Sequence, residues 1–138
     1  MNNDIYVRDW MAQCIYVQED YLRRNGVKKL EYGIYPFRTQ NRYHENVLGE
    51  LIADEIQEET FIFTAKMQYA DGNASRFNFY QNIVAWIEEQ NLRKNFPRFN
   101  NGIVQSVNAN IQQYVSEPNI AEERNEVQIR FTYKRFNQ

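Results

Sequence analysis

The sequence predicts an α+β protein, a two-layer sandwich in which an antiparallel four- to five-stranded sheet carries two helices on one face. Three observations predict it. Segments 4–25 and 74–94 repeat apolar residues at three- and four-residue spacing, the period of a helix with one buried stripe. Segments 59–69, 103–115 and 125–136 alternate apolar and polar residues, the period of a strand with one buried face. Each of these strands keeps a polar face, so the sheet is covered on one side only.

The first helix is read over 4–25, with Val7, Trp10, Met11, Cys14, Val17, Tyr21 and Leu22 as its stripe and Ile15 at its edge. Asp4 is placed to cap its start, Arg23 and Arg24 suit the negative end of the helix dipole, and Asn25-Gly26 stops it. Over 28–36, Leu30, Tyr32 and Ile34 alternate as a short strand, and Pro36 ends it or places it at a sheet edge. Segment 37–46 has no period and reads as an exposed loop, while 47–54 leans towards a strand.

In 59–69, Phe61, Phe63, Ala65, Met67 and Tyr69 share one face, with Ile62 the exception on the other. Ala70-Asp71-Gly72-Asn73 marks a turn. The second helix, 74–94, presents Phe77, Tyr80, Ile83, Val84 and Ile87, widened by Phe79 and Trp86. Asp71 or Asn73 is placed to cap it, and Pro97 and Asn101-Gly102 break the chain after it. In the last two strands the buried faces are Ile103, Val107, Ala109, Ile111 and Val115, then Val127, Ile129, Phe131 and Tyr133. Strands joined by loops favour antiparallel pairing.

A chain of 138 residues fits one domain, 1–138, and buries a core without metal or disulfide staples. The formal charge of −2 argues against a dedicated nucleic-acid binder, which needs a basic face to displace counterions. No apolar run is long enough to span a membrane, and Met1-Asn2-Asn3-Asp4 does not open as a signal peptide does. Cys14 is the one cysteine, so an internal disulfide is excluded and a reducing compartment is expected. Its neighbours Trp10, Met11, Ile15 and Val17 make it a small buried apolar side chain.

Catalysis needs a nucleophile, base or metal at reachable spacing, and the sequence offers little of this. His44 is the lone histidine and lies in a polar segment, so a multi-histidine zinc site is excluded. Asp54, Glu55, Glu58 and Glu59 cluster without calcium-loop spacing and read as a solvated turn. No phosphate loop, nucleophile elbow or CxxC occurs. No enzyme activity, cofactor or metal is expected. Phe131-Thr132-Tyr133-Lys134-Arg135-Phe136 mixes aromatics and cations as single-strand nucleic-acid binders do, yet Phe131 and Tyr133 share the face of Val127 and Ile129 and read as core.

The specific signature is a succession of segments. Tyr32-Gly33-Ile34-Tyr35-Pro36 precedes the aromatic strand 60–69. Asn78-Phe79-Tyr80-Gln81-Asn82-Ile83-Val84-Ala85-Trp86-Ile87-Glu88-Glu89-Gln90-Asn91 and Phe96-Pro97-Arg98-Phe99 follow, and Glu126 to Lys134 closes the chain. These residues resemble a family of small minor capsid or minor tail proteins from tailed phages and prophages of Gram-positive bacteria. That family usually has Leu-Pro where Phe96-Pro97 stands and a glycine-containing turn where Ala53-Asp54-Glu55-Ile56 stands.

Its members look like tail terminators, α+β proteins that assemble as a ring, usually a hexamer, capping the tail tube and meeting the head connector. The resemblance implies a virion protein, present in the host cytoplasm before assembly, whose partners are copies of itself, the tail tube protein and head–tail connector proteins. It carries over no catalytic residue. Arg38, Arg42, Glu122, Glu123 and Arg124, in segments 37–46 and 116–124, are the candidate subunit-interface residues. The alternatives are a neck or minor capsid component and, from another class, a small-ligand or single-stranded nucleic-acid binding domain.

Overall fold

Alternating side chains build one central sheet, and the helical stripes close over one of its faces. The computed structural model describes residues 3–40, 42–69, 76–115 and 123–136. In chain order the elements are α1 (Asp4–Met11), a 3-10 turn (Ile15–Val17), α2 (Glu19–Arg24), β1 (Val27–Gln40), β2 (Tyr43–Glu45), β3 (Leu51–Ala53), β4 (Ile56–Tyr69), α3 (Arg76–Arg93), β5 (Gly102–Val115) and β6 (Glu123–Arg135). Four long antiparallel strands form the sheet in the order β1-β4-β6-β5. The segment containing α3 carries the chain from β4 to the far edge, and β6 returns between them. The fold is the predicted α+β class, with four strands in the main sheet and β2–β3 as a separate two-stranded hairpin.

The core lies between the sheet and the helices. Ile34, Phe61, Phe63, Val107, Val127, Ile129 and Phe131 face Val7, Trp10 and Met11 of α1 and Tyr80, Ile83, Trp86 and Ile87 of α3. Burying one such side chain stabilises by about 1.5–3 kcal/mol, so this layer suffices to hold a chain of this length. Trp10 sits at its centre, 4.9 Å from Trp86 and 5.5 Å from Phe131 between ring centroids. Its indole Nε1 donates to the Asn95 carbonyl at 2.8 Å, which satisfies the polar edge of a buried ring.

The structure departs from the predicted elements in four places. The helix expected over 4–25 is broken: α1 ends at Met11, and Cys14 and Gln18 are extended around the 3-10 turn. The β-branched Ile15 and Val17 disfavour helix, and the Cys14 carbonyl bonds the Val17 amide instead. Asp4 does not cap α1. Asn3 holds the cap position, and its side chain is turned to other partners. The strand expected over 28–36 runs from Val27 to Gln40, through Pro36, with a register shift between Pro36 and Arg38. Segments 37–46 and 47–54 give the end of β1 and the β2–β3 hairpin. The expected turn at 70–73, with the caps Asp71 and Asn73, lies outside the described residues.

Candidate interaction surface

The β2–β3 hairpin is made by its own turn chemistry. The Asn46 side-chain oxygen accepts from the amides of Leu48 (2.9 Å) and Glu50 (3.0 Å). The Gly49 amide bonds the Asn46 carbonyl at 3.0 Å, and Gly49 takes the left-handed conformation (φ +80°) that closes a short hairpin loop. At the base, the buried Gln57 side chain accepts from the Arg42 amide (2.9 Å) and donates to the carbonyls of Arg42 (3.1 Å) and Asp54 (2.7 Å). Arg42 adds a 2.9 Å ion pair with Glu58, and His44 Nδ1 lies 2.6 Å from Asp54. The base is therefore welded to the sheet while the outer half is bare. Val47 is 102% exposed, Leu48 79% and Leu51 71%, beside the exposed carboxylates of Glu45 and Glu50. Turn tips are ordinarily polar, so three apolar side chains in water on one hairpin make it a candidate binding surface.

A groove of about 810 Å³ opens beside the start of β5. Phe96, Pro97, Ile103 and Phe136 form its apolar wall, and Lys94 and Arg98 stand at it with no carboxylate among the lining residues. Ile103 and Phe136 are both exposed. Lys94 sits in the left-handed region (φ 56°), just after α3, where glycine would be at ease. Gly102 floors the groove by necessity, since a Cβ there would lie 2.5 Å from the Tyr133 ring and 2.6 Å from the Lys134 carbonyl.

On each outer strand of the sheet a side chain from the helical layer meets one backbone group. Arg8 of α1 donates to the Ile34 carbonyl at 3.4 Å, and Pro36, whose backbone faces the same way two residues on, has no N–H to offer. On the other edge, Asn91 of α3 accepts from the Val107 amide at 2.9 Å. Each contact occupies a backbone group that pairing with another strand would need at that position.

Titratable groups at the core are engaged structurally. Asn3 donates to Glu59 (3.1 and 3.3 Å) and to Asn101 (3.0 Å), and accepts from the Asn100 amide (3.1 Å). Burial raises the Glu59 carboxyl above its ordinary value, opposed by the Asn3 hydrogen bond. The Tyr133 hydroxyl is raised by burial first and then by Glu59, and it accepts from Asn101 at 3.3 Å. Cys14 is fully buried, and burial pushes its thiol up to about 11, as expected of an inert core side chain. Among the described residues, no three His, Cys, Asp or Glu side chains converge as metal ligands. Phe131 and Tyr133 are buried on the inner face and present no stacking platform.

The candidate residues from sequence fall at opposite ends of the sheet. Arg38 is exposed on the outer face, opposite Thr60. Arg42 is committed within the chain to Glu58 and to Gln57. Glu123 and Arg124 begin β6, paired with Val115 and Tyr114, and Glu122 lies outside the described residues. About seven residues of strand, some 23 Å, separate this end from the Phe131 pair that adjoins the Arg38 region. The hairpin tip and the groove were not singled out from sequence. Asn46 and Gly49, three residues apart, were the available sign of the hairpin. Lys94, Phe96, Arg98 and Ile103 fall within ten residues after α3, but Phe136 joins them from the end of the chain, and no period in the sequence marks them as one groove.

Taken together these features define an α+β fold with an apolar hairpin projection anchored at its base and an apolar groove beside β5. Over 68 residues the chain is 34% identical to triplex capsid protein 1 of Human herpesvirus 7 (strain JI). The match takes in 49% of this chain and 23% of that protein, so the chain spans less than a quarter of the relative's length. No family model matches, and no solved structure matches.

Proposed function

We propose that the protein is a viral structural component that works by docking to copies of itself and to neighbouring virion proteins. The observation that carries this reading is the hairpin tip, where Val47, Leu48 and Leu51 are held in water by a rigid base. Holding apolar side chains in solvent is unfavourable by about 25 cal/mol per Å², a cost that assembly would recover. The likeness to a herpesvirus capsid protein supports the same class of role. Within that class, the resemblance of 32–36, 78–91 and 126–134 to phage minor tail proteins favours a ring-forming tail terminator at the head–tail junction, and the projecting hairpin tip suits subunits that meet through projections.

The test is deletion of the gene from the virus that encodes it, with electron microscopy of the particles. Overlong tails on unjoined heads are the expected result. Normal tails with defective heads would move the protein to the neck or capsid. Absence of the protein from purified wild-type particles would overturn the structural role itself.

A further inference from the structure

We infer that the hairpin tip of one copy seats in the Lys94–Arg98 groove of a second copy. This deepens the structural role proposed above and rests on it. The two features are complementary in chemistry. The tip offers Val47, Leu48 and Leu51 flanked by Glu45 and Glu50, carboxylates with no ion-pair partner among the described residues. The groove offers an apolar wall of Phe96, Pro97, Ile103 and Phe136 beside Lys94 and Arg98, cations likewise without an ion-pair partner among the described residues. Its 810 Å³ falls within the roughly 300–1,000 Å³ of pockets that enclose a ligand, enough for several aliphatic side chains.

Within one chain the two do not meet, since the tip is bare and the groove is lined by other residues. Their placement in the sheet explains how two copies would. The hairpin joins β1 to β4, and the groove opens beside β5, the opposite edge strand. Both lie at the same end of the sheet, where Ile56 pairs with Lys134 and Gly102 with Arg135. Copies set side by side, β1 edge towards β5 edge, bring a tip against a groove. Arg8, Pro36 and Asn91 each take one pairing group from the facing edges, and the contact is made by the tip. A tip-into-groove contact is heterologous, so its repetition closes a ring when the rotation allows. Lys94 fits this reading as well: a strained backbone is retained where a cation is useful.

The experiment is sedimentation equilibrium on the full chain up to about 1 mM, where even a millimolar contact half-associates. Leu48→Asp alters the tip and Arg98→Glu alters the groove, both at exposed positions, with circular dichroism confirming the fold. Each variant alone is expected to associate at least about tenfold more weakly than wild type. Mixed one to one, they should form a heterodimer that grows no further, because one intact tip then faces one intact groove. Glu88→Arg, on the solvent side of α3, should associate as wild type does. A wild-type chain that stays monomeric, variants that associate normally, or a mixture that stays monomeric would each overturn the pairing. So would a single-stranded oligonucleotide that fills the groove and leaves association through the tip unchanged. Unaltered association in both variants, with the protein present in purified particles, discards the pairing and keeps the structural role. Absence from particles discards the role, whatever the association.

Discussion

Glu59 and Lys94 show how single residues in this protein are held in unfavourable states by their surroundings. Burial disfavours the Glu59 carboxylate, and the Asn3 amide offsets part of that cost. The folded state therefore binds its proton more tightly than the unfolded state does. The stability this lends is complete below the ordinary carboxylate range. It declines as pH rises from there through the raised folded value, because the slope follows protons bound in the unfolded minus the folded state. Glu59→Gln keeps an acceptor for Asn3 and removes the charge. Thermal melts of the variant should exceed wild type at pH 7 and converge with it in acid. Lys94 holds the left-handed backbone that costs a non-glycine residue roughly 1–2 kcal/mol. Urea unfolding of Lys94→Gly is expected to read about 1 kcal/mol more stable than wild type. A loss of stability would show that the lysine side chain packs in the native state.

At the scale of elements, the hairpin and the broken first helix follow different logics. The hairpin carries its own instructions, Asn46 for the turn and Gly49 for its closure, and Gln57 supplies the attachment. Asn46→Ala should fray the tip and leave the core intact. Hydrogen exchange of the Leu48 and Glu50 amides should quicken, while the global melting temperature moves little. Gln57→Ala strikes the weld and removes the side-chain partner of the Arg42 amide and of the Asp54 carbonyl, while the Arg42 carbonyl keeps the Asp54 amide, a loss of about 1–3 kcal/mol in chemical denaturation. The first helix, in contrast, breaks where its apolar stripe runs on unbroken. Its stripe predicted burial correctly at Val7, Trp10, Met11, Cys14 and Leu22. Continuity was decided by Ile15 and Val17 and by the turn around Cys14.

For the whole molecule, the two outer strands, β1 and β5, are where another strand could pair, and each is engaged at one point by a helix side chain. Arg8 and Asn91 reach out of the helical layer to do it, each meeting one backbone group of an edge strand. Arg8→Ala with Asn91→Ala should destabilise by about 1 kcal/mol per lost hydrogen bond. Its larger effect should be faster growth of turbidity and thioflavin fluorescence on warming, since the edges become templates. A double variant that aggregates no faster than wild type would mean that some other feature protects the edges.

Periodicity in the sequence determined that this is an α+β protein with one covered sheet face. It also determined where β4, α3, β5 and β6 run and most of the side chains they bury. Ile103, expected on the buried face, is exposed and Val104 is buried in its place, because the register shifts between Val104 and Ser106. Alternation and helical spacing are local, and burial of one face enforces them residue by residue. Pro36 likewise signalled either the end of a strand or an edge strand, and the structure takes the second, with a register shift beside it. What the tertiary structure alone decided is the surface. It brought Lys94, Arg98, Ile103 and Phe136 to one groove, set Asn91 and Arg8 against the edges, and stood Val47 and Leu48 in water. Phe136 reaches the groove, Arg8 reaches Ile34 and Asn91 reaches Val107 from other parts of the chain, and the strand order that joins them follows from packing one face of the sheet against the helices, which no local period encodes.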